Sequence, residues 1–353
     1  RPRIYLDHAA TSPLRPEAKA AMGEGFALWA NPSSPHAEGR RAKQALEDAR
    51  ARVKAALGWD GEVIFTSGAS EALWIALNRA KVDRRIVGAV EHDAVFRAAP
   101  DAEVVPIADM MAEPERKALD MALVKPGKAM VAIQSVNSET GTELIMPGGD
   151  HTQEIVDRVR EAGGLFLCDC SQSAGKRRIP DVDMAVVSAH KFGGPIGIGA
   201  LLVRDYAMLE PMGGHERGYR QGTENMPAAL GFAAALEAGG QRSWATDTLQ
   251  RIDLRDRLRD VGEPLIFGPQ RSYICAVAHP TMSAQAQLIR LDSMGFAVSA
   301  GSACSSGTLK KSRVLNAFGV PDDVAARTIR VSMGWSTTPE ELEAFAEAWC
   351  SLS

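Results

Sequence analysis

The chain has 353 residues, 45% of them hydrophobic and 24% charged, with a formal net charge of −4 and a pI near 6.0. This is the composition of a globular protein large enough for two domains, and it excludes disordered, collagen-like and coiled-coil classes. No basic field exists to gather nucleic acid or anionic lipid, and apolar runs such as 72–77 and 196–203 fall short of the roughly 18 to 20 residues that cross a bilayer.

Residues 1–6 show no apolar h-region of signal-peptide type, so a cytoplasmic location is expected. The first strand signal is 63–66, which leads through Gly68 into a helical pattern over 71–79. Strand signals follow at 85–90 and 129–134, then a helix at 152–162 and a strand at 165–169. Another apolar strand starts at Met184 and ends at a lysine. Strand and helix alternating in this way predict parallel βαβ units, a sheet covered on both faces, and functional residues at the strand C-termini. After residue 201 the pattern changes to a Gly-rich stretch, 213–222, and an alanine-rich helix, 227–238. The passage to a smaller α+β domain is expected there, with a strand at 273–277 and a last helix over 339–349. The expected division is 12–240 for the large domain, and 1–11 with 241–353 for the small one. Five cysteines thinly spread over a long chain disfavour a disulfide framework.

Three strand exits carry the chemistry. In Ser188-Ala-His-Lys191-Phe-Gly-Gly194 a buried strand delivers a lysine to a glycine-rich turn. Desolvation there lowers the amine's pKa and favours the neutral form that attacks an aldehyde. In Leu165-Phe-Leu-Cys-Asp169 a second strand ends in an acid, which suits pairing with a pyridinium nitrogen, or equally the N-cap of a following helix. Gln172, three residues on, could donate to a phenolic oxygen. The third exit, Thr66-Ser-Gly68-Ala69-Ser70, opens a helix whose free amides and positive dipole end suit a phosphate. Amine, acid and anion cradle at neighbouring strand tips together describe a site for pyridoxal 5'-phosphate. His92, after the strand at 85–90, reads on its own more often as a satisfied structural side chain than as a functional one.

Cys304 lies in Ser299-Ala-Gly-Ser-Ala-Cys-Ser-Ser-Gly307, a segment with little to bury, which suits a mobile loop carrying a thiol. Cys168 and Cys275 lie inside apolar strands and read as small hydrophobes. No metal site is expected.

Nearly the whole chain resembles the cysteine desulfurases, fold-type I enzymes of the class V aminotransferase group. The likeness runs from Tyr5-Leu-Asp-His-Ala-Ala-Thr11 and Asn31-Pro-Ser-Ser-Pro-His36 to Ile329-Arg-Val-Ser-Met-Gly334. The resemblance implies an α/β PLP-dependent transferase fold and a pyridoxal 5'-phosphate cofactor in Schiff-base linkage to Lys191. It implies Asp169 as the pyridinium partner, Gln172 on the ring hydroxyl and His92 stacked on the ring. Ala69, Ser70, Ser188 and His190 would bind the phosphate, with Thr223 reaching across from the second subunit of a homodimer. Asn137 and Arg330 would bind the substrate carboxylate, a task for which arginine's planar fork is suited. The implied reaction removes sulfur from L-cysteine, leaving L-alanine and a persulfide on Cys304 that passes to a protein acceptor such as an iron–sulfur scaffold, or into thiocofactor synthesis. His8 and Cys170 depart from the family's usual residues. Selenocysteine lyase, another class V aminotransferase-type enzyme and a non-catalytic sulfur-carrier scaffold are the competing readings.

Overall fold

The computed structural model describes residues 2–108, 112–301, 304, 305, 308, 309 and 311–353, with the backbone alone for 304, 305, 308 and 309. A seven-stranded sheet forms its centre. In chain order the strands are β1 (Glu62–Thr66), β2 (Arg84–Gly88), β3 (Glu103–Val105), β4 (Ala129–Ala132), β5 (Leu165–Asp169), β6 (Met184–Ser188) and β7 (Gly199–Val203). Their spatial order is β1-β7-β6-β5-β4-β2-β3. Five of them, β3, β2, β4, β5 and β6, pair in parallel, whereas β7 runs antiparallel to both β6 and β1.

The sheet is mostly parallel, as expected, but the reversed strand corrects the expectation that the three strand tips are neighbours. β5 and β6 are adjacent, but β7 stands between β6 and β1. Because β7 is reversed and β1 is again aligned with β6, the C-terminal ends of β1, β5 and β6 still open on the same edge.

The central strands are apolar on both faces because both are covered. Phe166, Cys168, Ala185 and Val187 face one core, and the alternate residues Leu165, Leu167, Met184 and Val186 face the other. The first core is closed by the helices Ala37–Leu57 and Met226–Glu237. Ala37–Leu57 buries Ala42, Leu46, Ala49, Val53 and Leu57, one stripe at helical spacing. It starts at an N-cap in which the His36 side chain accepts from the Gly39 amide, and it ends at Gly58 with φ +62, the left-handed conformation that glycine adopts without strain. Helix Met226–Glu237 is buried along almost its whole length and packs on Pro16–Ala27. The two approach so closely at Gly25 that a β-carbon there would lie 2.6 Å from Pro227 Cα.

A three-stranded antiparallel sheet places Ile274–Ala278 between Thr328–Ser332 and Glu263–Pro264. Its core of Leu254, Val277, Ile329, Val331, Phe345 and Trp349 lies under the helices Thr248–Arg259, Ala284–Ser293 and Pro339–Cys350. The N-terminal strand Ile4–Tyr5 joins this side by pairing with Phe296–Ala297.

Candidate active site

A cavity of about 610 Å³ opens at the strand edge where β1, β5 and β6 end. Its wall includes Gly68, Ala69 and Ser70 after β1, Asp169 and Gln172 from β5 and its exit, and Ser188, His190 and Lys191 after β6. Ala9, Ala10, His92, Glu139 and Arg330 complete the part that bears on the chemistry.

Lys191 closes the single 3₁₀ turn Ala189–Lys191 that follows β6. Its Nζ donates to the carbonyls of Ala9 at 2.6 Å and Ala10 at 2.9 Å. Burial, with the positive Arg330 adding to it and Asp169 and Asp7 opposing, lowers the amine's pKa to about 8. The sequence contained the two carbonyls in the motif Asp7-His-Ala-Ala-Thr11 but offered no signal that they grip this amine.

Asp169 is 9% exposed. Its Oδ1 accepts from the Ser171 amide at 3.0 Å and the Ser171 hydroxyl at 2.6 Å. Gln172 donates through Nε2 to the Ala9 carbonyl at 2.9 Å, while its buried Oε1 has no hydrogen-bond partner among the described residues. Gly68, the N-cap of Ala69–Arg79, has φ +156, a conformation that side chains resist. A free helix N-terminus therefore faces the cavity next to Ser70 and the buried Ser188.

His92 proves to be both a structural and a cavity residue. Its Nδ1 accepts from the Ala94 amide at 3.1 Å and caps the helix Asp93–Ala98, so in the neutral ring the proton sits on Nε2. Burial lowers its pKa, with nearby Asp169 opposing. His190 pairs through Nδ1 with the Thr11 hydroxyl at 3.0 Å, and burial lowers its pKa to about 4. Arg330, on Thr328–Ser332, donates from Nη2 to Asp7 Oδ1 at 3.2 Å and to Ser299 Oγ at 2.9 Å, and from Nη1 to the Ser138 carbonyl at 3.0 Å.

Asn137 and Thr223 do not line this cavity, Thr223 being expected at the site of a second subunit. Asn137 is 1% exposed and its amide is fully committed. Nδ2 donates to Val90 O and Gln134 Oε1, and Oδ1 accepts from the amides of Glu139 and Thr140 and from the Thr140 hydroxyl. In this structure it holds a turn instead of facing a substrate. Thr223 is exposed and lies outside the cavity wall. Cys304 pairs by its backbone with Leu309, and its side chain lies outside the described part of the structure.

Sequence reasoning missed Glu91 and gave no role to His8, two buried polar residues at or around the cavity. Glu91 is 1% exposed; its Oε2 accepts from Gln134 Nε2, its Oε1 has no partner among the described residues, and burial with Asp169 nearby raises its pKa well above the usual carboxylate range. Its only cue was its position beside His92. His8 is fully buried, pairs through Nδ1 with the Ser12 hydroxyl at 2.9 Å, and has its pKa lowered to about 3 by burial, with Lys176 adding to the shift. Cys168 and Cys275 are buried and their pKa values are raised by desolvation, as expected of cysteines that serve as small hydrophobes.

A desolvated lysine, a carboxylate and a helix N-terminus around one cavity at the edge of an α/β sheet define an enzyme site, and comparison with known proteins specifies its class. The profile of the aminotransferase class-V family matches residues 4–345. The chain is 36% identical to a cysteine desulfurase of Cereibacter sphaeroides, over 98% of this chain and 94% of that one. Among solved structures, a NifS-like protein from Rickettsia africae superposes with a TM-score of 0.83 at 26% identity, covering 98% of each chain. SspA, solved in complex with cysteine, superposes with a TM-score of 0.78 at 25% identity, covering 95% of this chain and 99% of that one. The chain belongs to the cysteine desulfurase family of class-V aminotransferases.

Proposed function

We propose that the chain is a pyridoxal 5'-phosphate-dependent cysteine desulfurase that converts L-cysteine to L-alanine and carries the sulfur as a persulfide on Cys304. The observation that carries this reading is the Lys191 amine, its pKa lowered to about 8, in one cavity with Asp169 and the Gly68–Ser70 turn. These residues fit the cofactor's demands: an amine for its aldehyde, a carboxylate for its ring nitrogen and a positive helix end for its phosphate. The buried Oε1 of Gln172, without a partner among the described residues, and its neighbouring Nε2 supply an amide for the ring hydroxyl. When bound, the cofactor supplies an electron sink for charge developing at the substrate's Cα.

The chain's own groups account for the remaining steps. The guanidinium of Arg330 binds the substrate carboxylate, for which it must share or exchange the bond it makes to Asp7. Lys191 takes the Cα proton, a role for which its lowered pKa suits it at neutral pH. His92, neutral and carrying its proton on Nε2, lies on the cavity wall where it can stack or donate. The Cys304 thiolate attacks the substrate sulfur; the new S–S bond forms as the S–Cβ bond breaks, the electron pair stays on Cβ and takes up the proton that the thiol lost, and return of the proton from Lys191 to Cα completes alanine.

The same reading includes a homodimer to which exposed Thr223 contributes across the interface, passage of sulfur to a protein acceptor such as an iron–sulfur scaffold, and a cytoplasmic location. Among the described residues no helix is long and apolar enough to cross a membrane. The reading also divides the chain into 12–240, and 1–11 with 241–353, supported by the pairing of Ile4–Tyr5 with Phe296–Ala297.

Incubation of the cofactor-loaded protein with L-cysteine, without a keto acid, should release alanine in step with persulfide on Cys304. Cys304→Ser should abolish sulfur transfer while the cofactor stays bound. Turnover that requires a keto-acid acceptor, or that survives in Cys304→Ser, would refute the assignment.

A further inference from the structure

We propose that Glu139 is a positioning residue for the thiol: one carboxyl, fixed in the cavity wall, contacts the chain on both sides of Cys304. This rests on the desulfurase reading for its consequence and on local geometry for its existence.

The backbone of Glu139 belongs to a hydrogen-bonded turn closed on Asn137. Its amide donates to Asn137 Oδ1 at 3.0 Å, the Thr140 amide donates to the same oxygen at 3.0 Å, and the Gly141 amide returns to the Asn137 carbonyl at 2.9 Å. Asn137 is itself tied to Val90 O at 3.1 Å. This is the work that keeps Asn137 out of the cavity.

From this base the carboxyl reaches two places far apart in sequence from Glu139 but close to Cys304. Oε2 accepts from the Ser312 hydroxyl at 2.7 Å, and the Ser312 oxygen in turn accepts from the Leu315 amide at 3.0 Å. On the other side Gly301 packs directly against the carboxyl. A β-carbon at 301 would lie 2.6 Å from Oε2, 2.7 Å from Cδ and 2.8 Å from Cγ. Only a glycine permits that approach. Gly301 and Ser312 bracket Cys304 in sequence, so a single side chain contacts a described residue on each side of the thiol-bearing segment. The residue between Asn137 and Glu139, Ser138, gives its carbonyl to Arg330 at 3.0 Å. One turn therefore sets the position of the carboxylate-binding arginine and of both flanks of the nucleophile. Burial raises the Glu139 pKa, against the Ser312 hydrogen bond, Arg330 and Arg313.

Holding both ends of a span restricts where its middle can lie, and a displacement of about 1 Å of a reacting group can cost on the order of 10²-fold in rate. In the cofactor-loaded enzyme, Glu139→Ala should therefore slow persulfide formation by about tenfold or more. The Kd for cysteine, read from the substrate-induced change in the visible spectrum, should stay within about twofold. Glu139→Gln, which keeps an acceptor for Ser312, should recover most of the lost rate. Gly301→Ala, which pushes the carboxyl aside without removing it, should slow the same step, and it should add little on top of Glu139→Ala.

A second readout is independent of turnover. In cofactor-free protein, hydrogen exchange in the peptide spanning 301–312 should be faster in Glu139→Ala than in wild type and near wild type in Glu139→Gln. Persulfide formation at the wild-type rate in Glu139→Ala, an equal loss in cysteine affinity, or unchanged exchange would overturn the assignment. If wild-type enzyme formed no persulfide at all, the desulfurase reading would fail while the exchange comparison still decided whether Glu139 holds the segment.

Discussion

The amine of Lys191 should titrate near pH 8. Burial is the main cause, and Arg330 adds to it. At pH 7.5 a pKa of about 8 leaves roughly a quarter of the amine neutral, whereas the ordinary value of 10.5 would leave about one part in a thousand, so the site multiplies the reactive form some two hundredfold. Competitive acetylation of cofactor-free protein across pH 6 to 11, with the Lys191 peptide quantified by mass spectrometry, reads this titration directly. Arg330→Gln removes a neighbouring positive charge, so the midpoint should move upward in that variant. A wild-type midpoint above about pH 10, or a downward shift in Arg330→Gln, would refute the electrostatic account of the lysine.

Three further outcomes are expected. Folding holds the proton off buried His8, with a pKa of about 3 against 6.5 in the unfolded chain, so the unfolded state binds more protons between these values. Stability should thus fall as the pH drops below about 6.5, by about 2 kcal/mol at pH 5 from this residue, and urea titrations of His8→Gln should show a flatter loss over that window. Arg330→Ala should raise the KM for cysteine by about 10²-fold or more with a smaller change in kcat, measured as alanine release, because charge-assisted bonds to the carboxylate are lost. Gly25→Val should destabilise the protein by about 1 to 3 kcal/mol in urea unfolding, since its β-carbon would meet Pro227 at 2.6 Å.

Strands with continuous apolar runs were legible: Leu165–Asp169 matches its expected limits, and Met184–Ser188 starts where it was expected and ends three residues before the lysine. The reversed direction of Gly199–Val203 was not, because an apolar run does not encode its own orientation in a sheet. The helix Ala37–Leu57 was also missed. Two of its five stripe residues, Ala42 and Ala49, are alanine, whose small side chain contrasts weakly with the polar face. In the site, Lys191, Asp169 and the Gly68 turn could be found because each follows a buried strand. Residues that act through backbone carbonyls, as Ala9 and Ala10 do, leave no mark in side-chain chemistry. Glu139 and Asp7 were hidden for another reason: their partners, Ser312, Gly301 and Arg330, are distant in sequence and meet them only in the folded chain. The saturated turn of Asn137 was not legible because a buried amide that saturates its own turn and one that faces a ligand have the same local sequence.

The most direct test of the central claim is to reduce the cofactor-loaded protein with borohydride and map the resulting adduct by peptide mass spectrometry. The account predicts a single stable pyridoxyl label on Lys191, with none formed in Lys191→Ala. A label on Lys176 or another lysine, or cofactor that washes away after reduction, would contradict it.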